Sequence, residues 1–399
     1  MHFFRKLTNY FYNRPKIINK IAFFINEEFT LQHYENIINK LKIDNFVIIL
    51  TGKFKYDRYK KFVNKLKSFN YNIVFLDDVL YLKKYKILLT HVKLGGDTIV
   101  AETLLSKFKL SLIKLLKKVG FNIFKLKNQQ FIPKKIGIYN IKFMYGMDFN
   151  FKYSDYDNLF DEFFCHGPID SEFYKKNFSA KIFNMGYPRY DNYLKFRDDK
   201  DVKKDYLKKY LCSPKKPTIL WICTTSEFFS TIVTYERYIE MLIDKYNVIL
   251  RPHPIEINPT QRRFNQKAFD IVNSKKFILN IDPSQNMEEL YLISDYVFCD
   301  YGGSIFSALY CNKNILLLNH KNDIYDANIR KTTSLEIRNY LPSINESDCN
   351  KDFTKTIDNI LSSSKITYQT KNARKIYFGD QINQNCSKFT SDRLRKYLN

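Results

Sequence analysis

Asn247-Val248-Ile249-Leu250-Arg251-Pro252-His253-Pro254 and, further on, Ser294-Asp295-Tyr296-Val297-Phe298-Cys299-Asp300-Tyr301-Gly302-Gly303-Ser304 decide the fold. Each is a short apolar run of β type that stops at Gly, Pro or polar residues. A third run, Asn314-Ile315-Leu316-Leu317-Leu318, follows an apolar helical stretch. Parallel strands of an α/β domain end in this way, and ligands bind at such ends. Gly302-Gly303-Ser304 opens the next helix. Small residues there let backbone N–H groups approach a phosphate, and the helix dipole favours its negative charge. His253, held between two prolines, is either a candidate acid or base on a rigid turn or a structural histidine.

Working outward, Thr218 to Cys223 reads as the first strand of the same domain. It ends at Thr224-Thr225-Ser226, hydroxyls that suit either phosphate or the N-cap of the next helix. Residues 226–245 read as mostly helix, 277–279 as a strand, and 287–293 as a helix. Glu288 and Glu289 at the start of that helix either complement its dipole or grip a ribose hydroxyl. In the front half, Phe46 to Gly52 reads as the first strand, Tyr56 to Phe69 as a helix, and 72–76 and 85–90 as strands. Such alternation implies a parallel sheet. Further strands are expected at 136–145, 161–167 and 181–185, a helix at 169–177, a charged linker over Arg197 to Asp201, and a last helix over 386–398. The divisions are a basic helical segment over 1–40, a first Rossmann-like domain over 41–196, a second over 202–375, and a segment crossing back over 376–399.

Arg251-Pro252-His253-Pro254, followed by Ser294-Asp295-Tyr296, Asp300-Tyr301-Gly302-Gly303-Ser304 and a hydrophobic strand, resembles the CDP-glycerol glycerophosphotransferase family, which includes the teichoic-acid polymerases and primases. Gly186-Tyr187-Pro188-Arg189-Tyr190-Asp191 resembles that family's Gly-Tyr-Pro-Arg-x-Asp, and Phe163 to Pro168 the strand and turn before it. The ordered set spans roughly residues 136–390. The resemblance implies an α/β fold of GT-B type, with two Rossmann-like domains facing a central cleft. It also implies metal-independent transfer of glycerophosphate, or a related phosphopolyol, from a CDP-linked donor to a hydroxyl of a cell-surface glycan or lipid-linked acceptor, with no cofactor. Gly302, Gly303 and Ser304, with Thr224, Thr225 and Ser226, would hold the diphosphate, and Arg251 would offset its charge. His253 would be catalytic. Asp300 would orient His253 or cap the following helix, and Arg189 would neutralise phosphate from the first domain or bridge the two. By order, Tyr145-Gly146-Met147-Asp148 stands where the family carries Trp-His-Gly-Thr, so Tyr145 occupies the place of a catalytic His. A phenol titrates at about 10 and is a poor base at neutral pH. Tyr145 is therefore expected to position substrate, and Asp148 is the candidate base. A similar glycine turn occurs in nucleotide-sugar 2-epimerases and other GT-B enzymes. The alternative reading is therefore a GT-B glycosyltransferase that uses a nucleotide sugar for capsule or surface polysaccharide. A third is a membrane- or polyanion-binding protein whose ancestral site has lapsed.

The chain has 399 residues and a formal charge of +24, from 65 Lys and Arg against 41 Asp and Glu. Residues 1–26 hold Arg5, Lys6, Arg14, Lys16 and Lys20 and no acid, with apolar residues at helical steps before Pro15. Residues 106–135 are lysine-rich and also lack acids. Both stretches read either as basic amphipathic helices suited to an anionic membrane surface or as ordinary packed or solvated helices. Nucleic acid is not an expected partner, because no helix-turn-helix or zinc-finger pattern appears and aromatic residues are spread throughout. The seven cysteines are scattered with no Cys-x-x-Cys pair, which suits free buried thiols in a reducing compartment. No apolar run is long enough to span a bilayer and no secretory signal is present. The expected location is cytoplasmic, on the inner face of the cytoplasmic membrane.

Overall fold

The computed structural model describes residues 15–79, 82–91, 132–147, 154–226, 230–259, 261–279, 287–320, 332–379 and 385–399. The helix expected before Pro15, most of the lysine-rich stretch 106–135 and the candidate base Asp148 lie outside these residues.

The first sheet contains β1 (Lys16–Ile25), β2 (Phe46–Leu50), β3 (Ile73–Phe75), β4 (Lys83–Thr90), β5 (Gly137–Phe143), β6 (Glu162–Cys165) and β7 (Lys181–Asn184). Its order is β3-β2-β1-β4-β5-β6-β7, and every pairing is parallel. The second sheet contains β8 (Thr218–Ile222), β9 (Asn247–Arg251), β10 (Ile278–Leu279), β11 (Tyr296–Cys299), β12 (Asn314–Asn319) and β13 (Ser343–Asn345), in the order β10-β9-β8-β11-β12-β13, again all parallel. Both follow the doubly wound pattern, in which the strand order reverses beside the first strand and opens a crevice at the carboxyl ends. Those switch points lie between β1 and β4 in one domain and between β8 and β11 in the other.

Helices that position the site are α1 (Leu31–Ile38), α2 (Pro168–Asn177), α3 (Asp191–Phe196), α4 (Lys200–Lys209), α5 (Met287–Ile293), α6 (Gly303–Tyr310), α7 (Ser364–Phe378) and α8 (Cys386–Lys396).

Three sequence expectations change. The first strand is Lys16–Ile25, not the run starting at Phe46, so residues 16–25 are not part of a helical segment and the first domain begins well before residue 41. Ile21 to Ile25 are fully buried. A strand of a parallel sheet covered on both faces reads as a continuous apolar run, and the basic residues flanking this one suggested an amphipathic helix instead. Second, the charged run Arg197 to Asp201 is a short turn between α3 and α4 whose last two residues open α4. The Asp199 carboxylate accepts from the Asp201 and Val202 N–H groups at 3.0 Å each, capping α4. Third, residue 376 is no boundary, because α7 runs unbroken to Phe378.

The lobes share a core. Met147, Tyr187, Tyr190, Tyr193 and Leu194 pack with Tyr291, Ile305, Phe306, Tyr310, Tyr377 and Phe378 beneath the cleft. The Tyr193 hydroxyl donates to the Cys311 carbonyl at 2.7 Å. Helix α8 returns to the first domain, where Arg393 pairs with fully buried Glu162 at 2.8 Å and the Tyr397 hydroxyl donates to the same carboxylate at 2.6 Å. Gly186, at φ +71°, faces the start of α8; a Cβ there would stand 2.5 Å from the Cys386 sulfur. All seven cysteines are buried free thiols. Among the described residues no helix is long and apolar enough to cross a membrane.

Candidate active site

The two switch points face each other across a cleft of about 280 Å³. On the first-domain side, Phe29 and His33 follow β1, Tyr145 and Gly146 follow β5, and Tyr187, Arg189 and Tyr190 follow β7. On the second-domain side, Ile222 and Cys223 end β8, Arg251 to Pro254 end β9, Met287 and Tyr291 lie on α5, and Gly303, Ser304 and Ser307 begin α6.

The second-domain wall is built largely from backbone. Strand β11 stops at Asp300, and Gly302, the residue before α6, has φ +92° and ψ −172°. Glycine adopts this conformation without strain, whereas a β-branched side chain would clash with its own backbone. A Cβ added at Gly303 would meet nothing within 4 Å. The first N–H groups of α6 lack intrahelical partners by geometry and carry the positive end of the dipole. Arg251, at the end of β9, is buried, and its carbonyl accepts from the Cys223 N–H at 3.0 Å. The Ile255 N–H donates to Nδ1 of His253 at 3.3 Å, so the neutral ring carries its proton on Nε2. Burial first, then the charges of Arg263 and Arg251, push the His253 pKa down to about 4. At neutral pH it is an uncharged hydrogen-bond donor.

Three residues expected to contact phosphate on this side, Thr224, Thr225 and Ser226, do not line the cleft. Ser226 directs both its N–H and its hydroxyl to the carboxylate of Glu256, which occupies the anion position that a phosphate would need. The Thr224 N–H donates to Asp300 at 2.8 Å, and Thr225 is buried away from the cleft lining. Asp300 is not among the residues lining the cleft, and none of its hydrogen bonds goes to His253. It is fully buried and accepts from the N–H groups of Thr224, Thr231 at 3.0 Å and Tyr301 at 2.7 Å, and from the Thr231 hydroxyl at 3.3 Å. Burial raises its pKa to about 6 while these bonds pull it back. Asp300 therefore ties β8 to β11 at the switch point. Arg338 supports the same corner: it donates to the Asp300 carbonyl and lies 3.7 Å from the Tyr301 ring centroid.

The first-domain wall is built from side chains. Nη1 of Arg189 donates to Nε2 of His33 at 3.2 Å, and Nη2 donates to the side-chain Oε1 of Gln32 at 2.5 Å. A guanidinium has no acceptor, so His33 accepts on Nε2 and its proton sits on Nδ1. Nδ1 of His33 and Nε of Arg189 are buried and find no partner among the described residues. A buried donor left unmatched costs about 1–3 kcal/mol. Burial first, then Arg189, His91 and His166, hold the His33 pKa well below the ordinary imidazole range. The Tyr145 ring, half exposed, meets His33 edge-on at 5.3 Å and His91 at 5.0 Å. The Tyr145 carbonyl accepts from the Tyr187 hydroxyl at 3.2 Å. Arg189 is thus wired to α1 of its own domain rather than bridging to the other.

Of the residues singled out in the sequence, the fold brings Tyr145, Arg189, Arg251, His253, Gly303 and Ser304 to one cleft, with Gly302 forming the turn beneath them. It also brings His33, which sequence reasoning missed. His33 lies in an ordinary amphipathic helix with no local motif around it, and the pairing of β1 with β4 and of β4 with β5 places it beside Tyr145.

A family model described as CDP-Glycerol:Poly(glycerophosphate) glycerophosphotransferase matches residues 124–398, more than two thirds of the chain. No curated protein sequence matches. Among solved structures, a variant of the wall teichoic acid polymerase TagF soaked with CDPG superposes with a TM-score of 0.65 at 13% identity, covering 99% of this chain and 93% of that one. The S. aureus MnaA–UDP structure superposes at 0.56 and 14% identity, covering 96% and 97%. A UDP-GlcNAc 2-epimerase from Neisseria meningitidis, bound to UDP-GlcNAc, superposes at 0.51 and 13%, covering 94% and 100%. At these identities the likeness shows the fold, which is GT-B.

Proposed function

This chain belongs to the CDP-glycerol:poly(glycerophosphate) glycerophosphotransferase family, and we propose that its cleft transfers glycerophosphate from CDP-glycerol to a hydroxyl of a surface glycan or lipid-linked acceptor. The acceptor oxygen forms a bond to the glycerol-bearing phosphorus, the bond from that phosphorus to the CMP oxygen breaks, CMP departs with that bond's electron pair, and the acceptor hydroxyl's proton passes to water. The diphosphate would lie at the N-terminus of α6, where Gly303 and Ser304 present N–H groups and Arg251 offsets charge. His253, neutral with its proton on Nε2, is suited to donate to a phosphoryl oxygen as charge builds on the departing CMP. It is not set up to take the acceptor's proton. Tyr145 would position the acceptor through its hydroxyl.

The observation that carries this reading is the single cleft lined by His253, Arg251 and the start of α6 on one side and by Arg189 and Tyr145 on the other. The basic stretches 1–14 and 106–135 would hold the protein at an anionic membrane surface, where a lipid-linked acceptor lies. A thermal-shift panel with a transfer assay tests the donor. CDP-glycerol should raise the melting temperature and be turned over. Stabilisation by UDP- or CMP-sugars alone would favour a glycosyltransferase, and no nucleotide response would remove the enzyme reading.

A further inference from the structure

The first-domain wall contains a charge that its own neighbours do not answer. The Arg189 guanidinium donates to two neutral groups, His33 and Gln32, and packs 5.6 Å from the Tyr190 ring centroid. Among the described residues no carboxylate lies within ion-pair distance of it, and the buried Glu288 carboxylate acts on it only from beyond that distance. Beside it, Nδ1–H of His33 and Nε–H of Arg189 are both buried and unmatched, and both residues line the cleft. A half-buried cation whose hydrogen-bond partners are neutral, beside two buried unmatched donors, is an anion site lacking only its anion. The donor diphosphate has its own backbone site across the cleft, at α6. We propose that His33 and Arg189 form a second anion subsite, which binds the phosphate group of the acceptor next to the hydroxyl that attacks. This rests on the transfer reading above and deepens it: the enzyme would recognise a phosphate-bearing acceptor end, such as the last unit of a glycerophosphate chain, by fixed donors.

The geometry of His33 supplies a test that separates binding from mere support of Arg189. A Gln side chain can place its carbonyl oxygen near the imidazole Nε2 position, keeping the acceptor for Arg189 while losing the Nδ1 donor. Asn can place an amide N–H near Nδ1 while losing the Nε2 acceptor. Transfer kinetics of the full-length His33→Gln, His33→Asn and wild-type proteins would be compared with two synthetic acceptors, one ending in glycerol phosphate and one ending in glycerol. The proposal expects wild type to prefer the phosphate-bearing acceptor. It expects His33→Gln to raise the KM for that acceptor about ten-fold, with the KM for CDP-glycerol within two-fold, and His33→Asn to retain most of the preference. Circular dichroism and melting temperature confirm that each variant folds; if His33→Gln does not, loss of the phosphate preference in Arg189→Gln replaces it. A role limited to holding Arg189 reverses the order, with Gln tolerated and Asn not, and overturns the proposal. A rise in the KM for CDP-glycerol, or equal use of both acceptors by wild type, overturns it too. Failure of the wild-type protein to bind CDP-glycerol at all would instead strike the transfer reading.

Discussion

The two walls of the cleft are made from different materials. The second-domain wall is backbone: a helix N-terminus, a glycine at positive φ and a proline-bound turn, each fixed by its place at a strand end. The first-domain wall is side chain: Arg189 after β7, His33 from α1 and Tyr145 after β5, held by bonds to one another. A backbone site answers a group common to every donor, the diphosphate. A wall of long side chains can be re-equipped by substitution without disturbing the sheet, which suits the partner that differs between enzymes. That division makes the expected losses unequal on the two sides.

The largest should come from Gly302→Val. At φ +92° a β-branched side chain cannot keep the turn, so the start of α6 must move. CDP affinity, measured by calorimetry, should fall at least a hundred-fold, while a circular dichroism spectrum like that of wild type would show the sheets intact. Unchanged affinity would mean that the diphosphate binds elsewhere and that the backbone wall has been misassigned. Next comes His253→Ala, expected to lower kcat by roughly 10²–10⁴, the usual worth of a positioned proton donor. Turnover close to wild type would remove His253 from the chemistry. The same ring predicts a pH effect. Its pKa is depressed to about 4, chiefly by burial, so the neutral, donating form persists far below the ordinary imidazole range. Protonation near 4 keeps the Nε2 donor but breaks the Ile255 N–H bond to Nδ1, so the contribution of His253 to kcat should hold as pH falls through 6.5 and change only near 4. An acid limb at the ordinary value that disappears in His253→Ala would contradict the neutral donor.

What could be read in the sequence follows the same division. The second-domain wall is local: Arg251 to Pro254 and Gly302 to Ser304 are contiguous runs whose glycines, prolines and preceding apolar residues declare a strand end. The first-domain wall is long-range. Nothing near His33 marks it, and its neighbours Tyr145 and Arg189 are brought together by the order of strands. The misread β1 has the same origin. Its apolar half is a plain buried strand, but five apolar residues beside lysines fit a helical pattern equally well until the pairing with β2 and β4 decides. The hydroxyl run Thr224 to Ser226 failed for a different reason. A phosphate-binding turn and a turn that binds a carboxylate use the same groups, and here Glu256 and Asp300 supply the carboxylates.

Tyr145 gives the smallest expected effect and the sharpest view of the side-chain wall. The resemblance puts a histidine at its place, and its ring lies between two imidazoles, His33 and His91, both held neutral by burial first. If the phenol itself moved a proton, Tyr145→Phe would lose activity on the scale of His253→Ala. If the ring packs the wall and the hydroxyl only positions the acceptor, Phe keeps the edge contacts and gives up at most one neutral hydrogen bond. Such a bond contributes about 0.5–1.5 kcal/mol, which corresponds to roughly two- to ten-fold in kcat/KM. Tyr145→Ala, which removes the ring from beside His33, should do more damage than Phe and should raise the acceptor KM more than it lowers kcat. Equal losses in Phe and Ala would assign the effect to the hydroxyl and make this wall a proton-transfer surface rather than a binding one.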